Sequence, residues 1–407
     1  MIFKLVGYIS GRRDSCWTAF ALWMISFNIL KLGSNGLETG FYLFMILLSS
    51  FFYIVKVLDH GRARDHLLFG AILGLTTLTR IDAGLLCIAF AGHYSWYHVS
   101  GEKGFRLFLA PALWFVPWLV VTAPWWVYNM RLAGSILPIS GKSQLMPFAE
   151  GPGAVVPRML DNLNYTINAL LDQASVVVVT PLRYIRNIRF FSLIWNLVRV
   201  SLLVVIVLWL RRGWSETRSG RPDAVAAKKV LFYPFYLLLL LVNYNFLFRV
   251  SWYINRYTIP GIILSVVLWA LVLDRFRPLY RNLMLGAGIA ATIIIGGTSY
   301  FTPYNSMYTE HYGWVRENAT ADTWVAALQT GTLGYFHDRT INTDGKVNPD
   351  IEGLVPGTMG SYLAGWKVEY FIEWKEHLAS PAGDFLTYYE FYDEFGRCHI
   401  YRRRSER

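Results

Sequence analysis

Five charged residues stand in or beside long apolar runs, where a membrane-sized hydrophobic segment would exclude them. Glu38 lies in "KLGSNGLETGFYLF" (31–44), and glycines at 33, 36 and 40 make this seam a break between two helices. Arg80 and Asp82 share "LTRIDAG" (78–84), Lys142 closes "ILPISGK" (136–142), and Arg256 sits in "NRYTIP" (255–260). Lys and Arg neutralise a phosphate, Arg with a fork that can contact it twice. A carboxylate takes a proton from an incoming hydroxyl or orients a cation, and a water-poor cleft strengthens both effects. The set suits an anionic lipid headgroup. Each residue also has a structural reading. Glu38 can cap the helix that follows it, Arg80 and Asp82 can staple two short helices, Lys142 can be a solvated loop charge, and Arg256 can be a snorkelling anchor. The argument therefore rests on their co-location on one face.

Other chemistries lack their signatures. The chain has no P-loop, and "GTLGYF" (331–336) matches no nucleotide fingerprint. "NTDGKVNPD" (342–350) lacks EF-hand spacing and reads as a hairpin turn at Asp344–Gly345. Cys16, Cys87 and Cys398 lie far apart, with no Cys/His spacing for a metal or a disulfide framework. No metal ligand is assigned, and a divalent cation is left open as the cofactor.

The elements that position these residues are membrane helices. The 407 residues are 54% hydrophobic and 16% charged, with mean hydropathy +0.34, against about 25% charged in soluble domains. A crossing needs about 20 apolar residues. The windows are 15–32, 37–58, 107–128, 191–210, 230–248, 258–273 and 282–301, and "SLLVVIVLWL" has no polar stripe. Two mid-bilayer charges on one helix would cost about 2.5–3.5 kcal/mol each, so 67–99 divides into two short helices meeting at "TRID". Nine crossings with the N-terminus inside then leave "GRRD", "KVLDHGRARD", "SGEKGFR", "RRGWSETRSGRPDAVAAKK" and "DRFRPLYR" as short basic cytoplasmic loops. The net charge of +11 orients helices and does not point to nucleic acid. "RYIRNIRF" (183–190) falls outside in this topology and reads as an interfacial stretch. Residues 1–14 carry no signal-peptide cleavage pattern.

The outer face collects the Glu38 seam, the "TRID" turn, a long loop of about 129–190 and "FRVSWYINRY" (248–257). The expected architecture is a polytopic α-helical membrane domain over 1–301 and an extracytoplasmic soluble α/β or α+β domain over 302–407. Polar composition, turn signals and alternating stretches such as "RCHIYRR" mark the latter.

"SNGLETGFYLF" followed by "GLTTLTRIDAGLL" resembles the paired motifs of C-type (GT-C) membrane glycosyltransferases, in the branch of the mycobacterial terminal arabinofuranosyltransferase. "APWWVYNMRLAGSILPISGKS" (123–143) is similar to that branch's aromatic helix end, Gly-x-x-x-Pro loop and Lys. "NRYTIPGIIL" is similar to its Arg-Tyr-x-x-Pro element, and "GTLGYFHDRTINTDGKVN" to a segment of its extracytoplasmic domain. The similarity covers about residues 30–360. It implies transfer of a sugar from a polyprenyl-phosphate donor to an envelope glycan, lipid or protein acceptor, at the outer side of the cell membrane. Glu38 and Asp82 become the expected catalytic acids, shaping the cleft by orienting a cation or an acceptor hydroxyl. Arg80, Lys142, Arg256, Asn129 and Tyr257 become the expected substrate-binding residues. The family's usual acid in the first outside loop has no counterpart: Asp14 is the first acid and lies inside. Either the start is truncated, a partner or another acid substitutes, or the protein is not catalytic; the family's first helices are expected to be missing, and the general base is left unassigned. The alternative is a non-catalytic or lipid-transport protein of the envelope pathway using the same anionic site.

Overall fold

A computed structural model describes residues 1–33, 38–58, 61–98, 106–142, 144–145, 151–174, six positions between 200 and 211, 228–248, 254–301, 307–375 and 383–404. The expected 191–210 crossing and the basic 183–190 stretch lie outside the described residues. The chain forms two compact units, Met1–Trp125 with Met146–Phe301, and Trp126–Leu145 with Thr302–Arg407.

The first unit is helical. Its elements begin with α1 (Ile2–Ser10), α2 (Arg13–Ile25), α3 (Phe27–Gly33), α4 (Thr39–Phe52), α5 (Ala63–Thr79) and α6 (Gly84–His98). α7 (Arg106–Ala133) runs on into the second unit, which holds α8 (Ile139–Lys142). α9 (Pro152–Ala174) and helices at Phe232–Val242, Ile254–Tyr257, Gly261–Leu273 and Pro278–Phe301 complete the first unit. Among the described residues, three helices are long and apolar enough to cross a membrane: Thr39–Val57, Leu109–Leu132 and Lys228–Leu247. Two of them end in π-helical turns, Tyr53–Val57 and Asn243–Leu247. Gly261–Leu273 is shorter and almost wholly buried. The 15–32 window is interrupted at Ser26, between α2 and α3.

The 67–99 window does break at "TRID". Arg80 is extended (φ −157°), and a single 3-10 turn, Ile81–Ala83, leads into α6. The threonine run before it prepares the break. Thr76, Thr77 and Thr79 each bond a carbonyl three or four residues back, which loosens a helix end. The helices approach closely where small residues allow it. A Cβ on Gly70 would lie 2.2 Å from the Trp114 carbonyl oxygen, and one on Gly74 would lie 2.7 Å from the Val121 Cβ. Hydroxyls then bond across helices, Ser49 to Thr76 at 2.9 Å and Trp118 Nε1 to Thr77 at 2.9 Å.

The second unit is built on a five-stranded sheet: β1 (Val325–Ala327), β2 (Thr340–Asn342), β3 (Tyr370–Trp374), β4 (Tyr389–Phe395) and β5 (Cys398–Arg403), in the order β2-β1-β3-β5-β4. β1 pairs parallel with β2 and β3, and β5 pairs antiparallel with β3 and β4. β3 is buried along its whole length, as a strand covered on both faces must be. Tyr370, Ile372 and Trp374 pack with Trp314 on one face, and Phe371 packs with Leu363, Phe385 and Tyr401 on the other. The Asp344–Gly345 hairpin is corrected here. The turn exists, with Gly345 at φ +71° and Asp344 Oδ1 accepting from Lys346 N. It follows a strand paired in parallel, however, and leads into a short helix, Pro349–Glu352, capped by Asn348.

Candidate functional site

Glu38, Arg80, Asp82, Arg256 and Tyr257 come together in the first unit. Arg80 grips Asp82 with two parallel bonds, Nε to Oδ1 at 3.1 Å and Nη2 to Oδ2 at 2.8 Å. Both side chains are almost fully buried. The remaining nitrogen, Nη1, reaches Glu38 Oε1 at 3.3 Å. Arg256 closes the network through Nη2, which donates to both Glu38 oxygens. Two arginines and two acids thus alternate, and the four formal charges cancel.

Tyrosines surround the Arg80 guanidinium. It lies over the rings of Tyr257 at 4.6 Å and Tyr42 at 5.0 Å, a cation–π setting that favours the charged form in a desolvated place. Tyr244 stacks on Tyr257 with ring centroids 4.3 Å apart. Its hydroxyl donates to Asp82 Oδ2 at 2.6 Å and accepts weakly from Arg80 Nη2 at 3.4 Å. Tyr42 and Tyr236 bond each other below the site. Three local features position these groups. Glu38 sits directly before α4, the "TRID" turn presents Arg80 and Asp82 side by side, and the π-turn Asn243–Leu247 swings Tyr244 inward. Such single-turn π insertions often mark functional places in helices.

The environments differ. Asp82 accepts two bonds from Arg80 and one from Tyr244, so it serves to hold Arg80. Glu38 is about a third exposed. Burial pushes its carboxyl up, but the hydrogen bond and charge of Arg256, with Arg80 behind it, win and leave it below the ordinary glutamate range. Glu38 occupies the N-cap position of α4, where the helix dipole favours an acid, but its side chain makes no cap bond there. Arg256 is only partly covered, and its Nε is buried without a hydrogen-bond partner among the described residues.

Asn129 and Lys142 belong to the second unit, where Asn129 is buried with its Nδ2 unpaired among the described residues and Lys142 ends the four-residue α8 with an exposed side chain. Sequence reasoning missed Tyr42, Tyr236 and Tyr244. "VNYNFLF" (242–248) held a signal, since two asparagines flanking a tyrosine interrupt an otherwise apolar run. No group of three or more His, Cys, Asp or Glu that could hold a metal ion occurs among the described residues.

Compared with known proteins, residues 298–405 match a family described only as a domain of unknown function, DUF8728. That match falls on the sheet unit and assigns it no activity. No curated protein and no solved structure matches the chain.

Proposed function

We propose that the protein is a polytopic membrane glycosyltransferase of the GT-C type. It would move a sugar from a polyprenyl-phosphate donor to an envelope glycan, lipid or protein acceptor. In this reading the chain crosses the cell membrane nine times, and the sheet unit lies outside the cytoplasm. The observation that carries the reading is Arg256, with one nitrogen on Glu38 and another buried without a partner, in a charge-balanced network among apolar helices. A phosphate oxygen can compete with Glu38 for Nη2, and the buried, unpaired Nε becomes a second donor once neighbouring side chains shift to admit it. Arg80, locked by Asp82 and Tyr244, then supplies a fixed positive field for the leaving phosphate. Glu38, released from Arg256, orients an acceptor hydroxyl.

The test uses membranes from cells producing the full chain, supplied with labelled polyprenyl-phosphate sugars. The expected outcome is labelled acceptor together with released polyprenyl phosphate. Charge-assisted contacts contribute roughly 1.5–3 kcal/mol each, so Arg256→Ala should weaken donor binding by an order of magnitude or more. Unchanged binding in that variant would make Arg256 a membrane anchor and remove the main support. A second reading, a lipid-binding protein without catalysis, is favoured by the closed pairing of both acids with arginines. Donor binding without sugar transfer, across a panel of pentose and hexose donors, would select it.

A further inference from the structure

α9 presents three distinct faces. Val155, Asn162, Thr166 and Ala169 point inward and are buried. Two of these are polar, and both hold the turn that carries Tyr244. Asn162 Nδ2 donates to the Tyr244 carbonyl at 3.1 Å and to the Phe248 carbonyl at 2.7 Å, and Thr166 Oγ1 donates to Asn245 Oδ1 at 3.0 Å. The apolar residues face the other way. Val156, Leu160, Leu163 and Ile167 are each between 37% and 61% exposed. Their spacing of i, i+4, i+7 and i+11 gathers them within about 60° of the helix circumference. A third face carries exposed Asp161, Asn164 and Asn168. In a water-soluble setting the apolar stripe would be turned inward and the asparagine outward. Here the order is reversed.

The level of α9 decides what covers the stripe. Asn162 and Thr166 bond the π-turn Asn243–Leu247, which ends the apolar Lys228–Leu247 helix. α9 therefore sits where that helix leaves the hydrocarbon. Phe246 and Leu247 on the same turn are themselves exposed, so apolar surface is presented on both elements at this level. An apolar stripe beside a polar face, lying at the end of a crossing, is the pattern of a helix in the plane of the interface.

We propose that α9 is a lipid-seated helix. Its exposed stripe is covered by the acyl chains of the bilayer surface, and its inner face clamps the Tyr244 turn. The proposal rests on the membrane reading of the long apolar helices and not on sugar transfer, so it stands or falls separately from the enzymatic reading.

The test places a photoactivatable diazirine amino acid at Leu160 of the full chain in native membranes, with Asn164 as the polar-face control. Mass spectrometry identifies what each position captures. The expected result is phospholipid adducts at position 160 in yields roughly fivefold above those at position 164. Capture of a polypeptide at position 160, whether another protein or a second copy, would overturn the proposal. Equal lipid yields at the two positions, or no lipid adduct at either, would also overturn it. If the Leu160 variant does not accumulate, Ile167 provides the same test one helical repeat further on.

Discussion

Replacing Asp82 by Asn tests whether the buried network is real. Asp82 accepts two bonds from Arg80 and one of 2.6 Å from Tyr244. Asparagine keeps one oxygen, enough for Tyr244, but turns an N–H toward a guanidinium that can only donate. Arg80 is left with a buried charge and only Glu38, at 3.3 Å and partly in solvent, to balance it. Removing one partner of a buried pair costs about 3–5 kcal/mol, because the other charge stays desolvated. That is a large share of a typical stability of about 5–15 kcal/mol. The assay is thermal unfolding of the purified chain in detergent, run as a cycle with Arg80→Met. The single Asp82→Asn variant should melt well below the parent. The double variant should be more stable than Asp82→Asn alone, because it removes the stranded charge. Losses that simply add, or an Asp82→Asn variant that melts with the parent, would refute the reasoning and make the pair incidental.

Three further outcomes follow from named contacts. Gly70→Ala should destabilise by about 1–3 kcal/mol, since the new methyl meets Trp114 backbone, which cannot turn aside as a side chain can; unfolding in detergent measures it. A membrane-impermeant thiol reagent applied to intact cells should label Val347→Cys, an exposed position of the sheet unit, and labelling only after lysis would place that unit inside. Native Cys398 should stay silent in this experiment, because burial, with Glu310 and Glu373 nearby, pushes its thiol up to about 12. Finally, the Glu38 carboxyl is depressed in the folded protein, so its contribution to stability is complete above the unfolded value and is lost as pH falls through the folded one. The melting difference between parent and Glu38→Gln should be constant above about pH 5 and shrink in stronger acid.

Parts of this arrangement were legible in the sequence for clear reasons. The long apolar runs at 39–57, 109–132 and 228–247 need only composition. The break at Arg80–Asp82 needs only the cost of two charges in an apolar window. Glu38 and Arg256 were visible as charges beside such runs, although 218 residues separate them. What was not legible depends on contacts between distant segments. The π-turn that delivers Tyr244 leaves no trace in hydrophobic periodicity. The strand at 340–342 was read with the wrong successor because a turn signal gives the bend and not the pairing partner. β2 is chosen by parallel pairing with β1 instead. Motif order groups Asn129 and Lys142 with the site, but order along a chain carries no distance. Their unit is the other one.

The charge balance of the network bears on how an anion would enter it. Two arginines face two acids, so the intact donor, a phosphodiester with one negative charge, would leave the cluster negative unless an acid is displaced or neutralised. Asp82 is poorly suited to that, being held by both Arg80 nitrogens and Tyr244 in a nearly closed space. Glu38 is the weaker link, partly exposed and bound to Arg256 through a single nitrogen of that arginine. In the proposed reading, the anion takes Arg256 and the freed carboxylate swings toward the solvent side, where an acceptor hydroxyl approaches. The Arg80–Asp82–Tyr244 group stays fixed. The asymmetry predicts which change alters ligand affinity without loss of fold. Glu38→Gln removes the competitor for Arg256 while leaving the buried pair untouched. It should therefore bind a polyprenyl-phosphate analogue at least as tightly as the parent. Titration of the analogue against both proteins, with melting temperature followed in parallel, checks this. Weaker binding in Glu38→Gln at unchanged stability would mean that the carboxylate helps to build the anion site, and the displacement argument would fail.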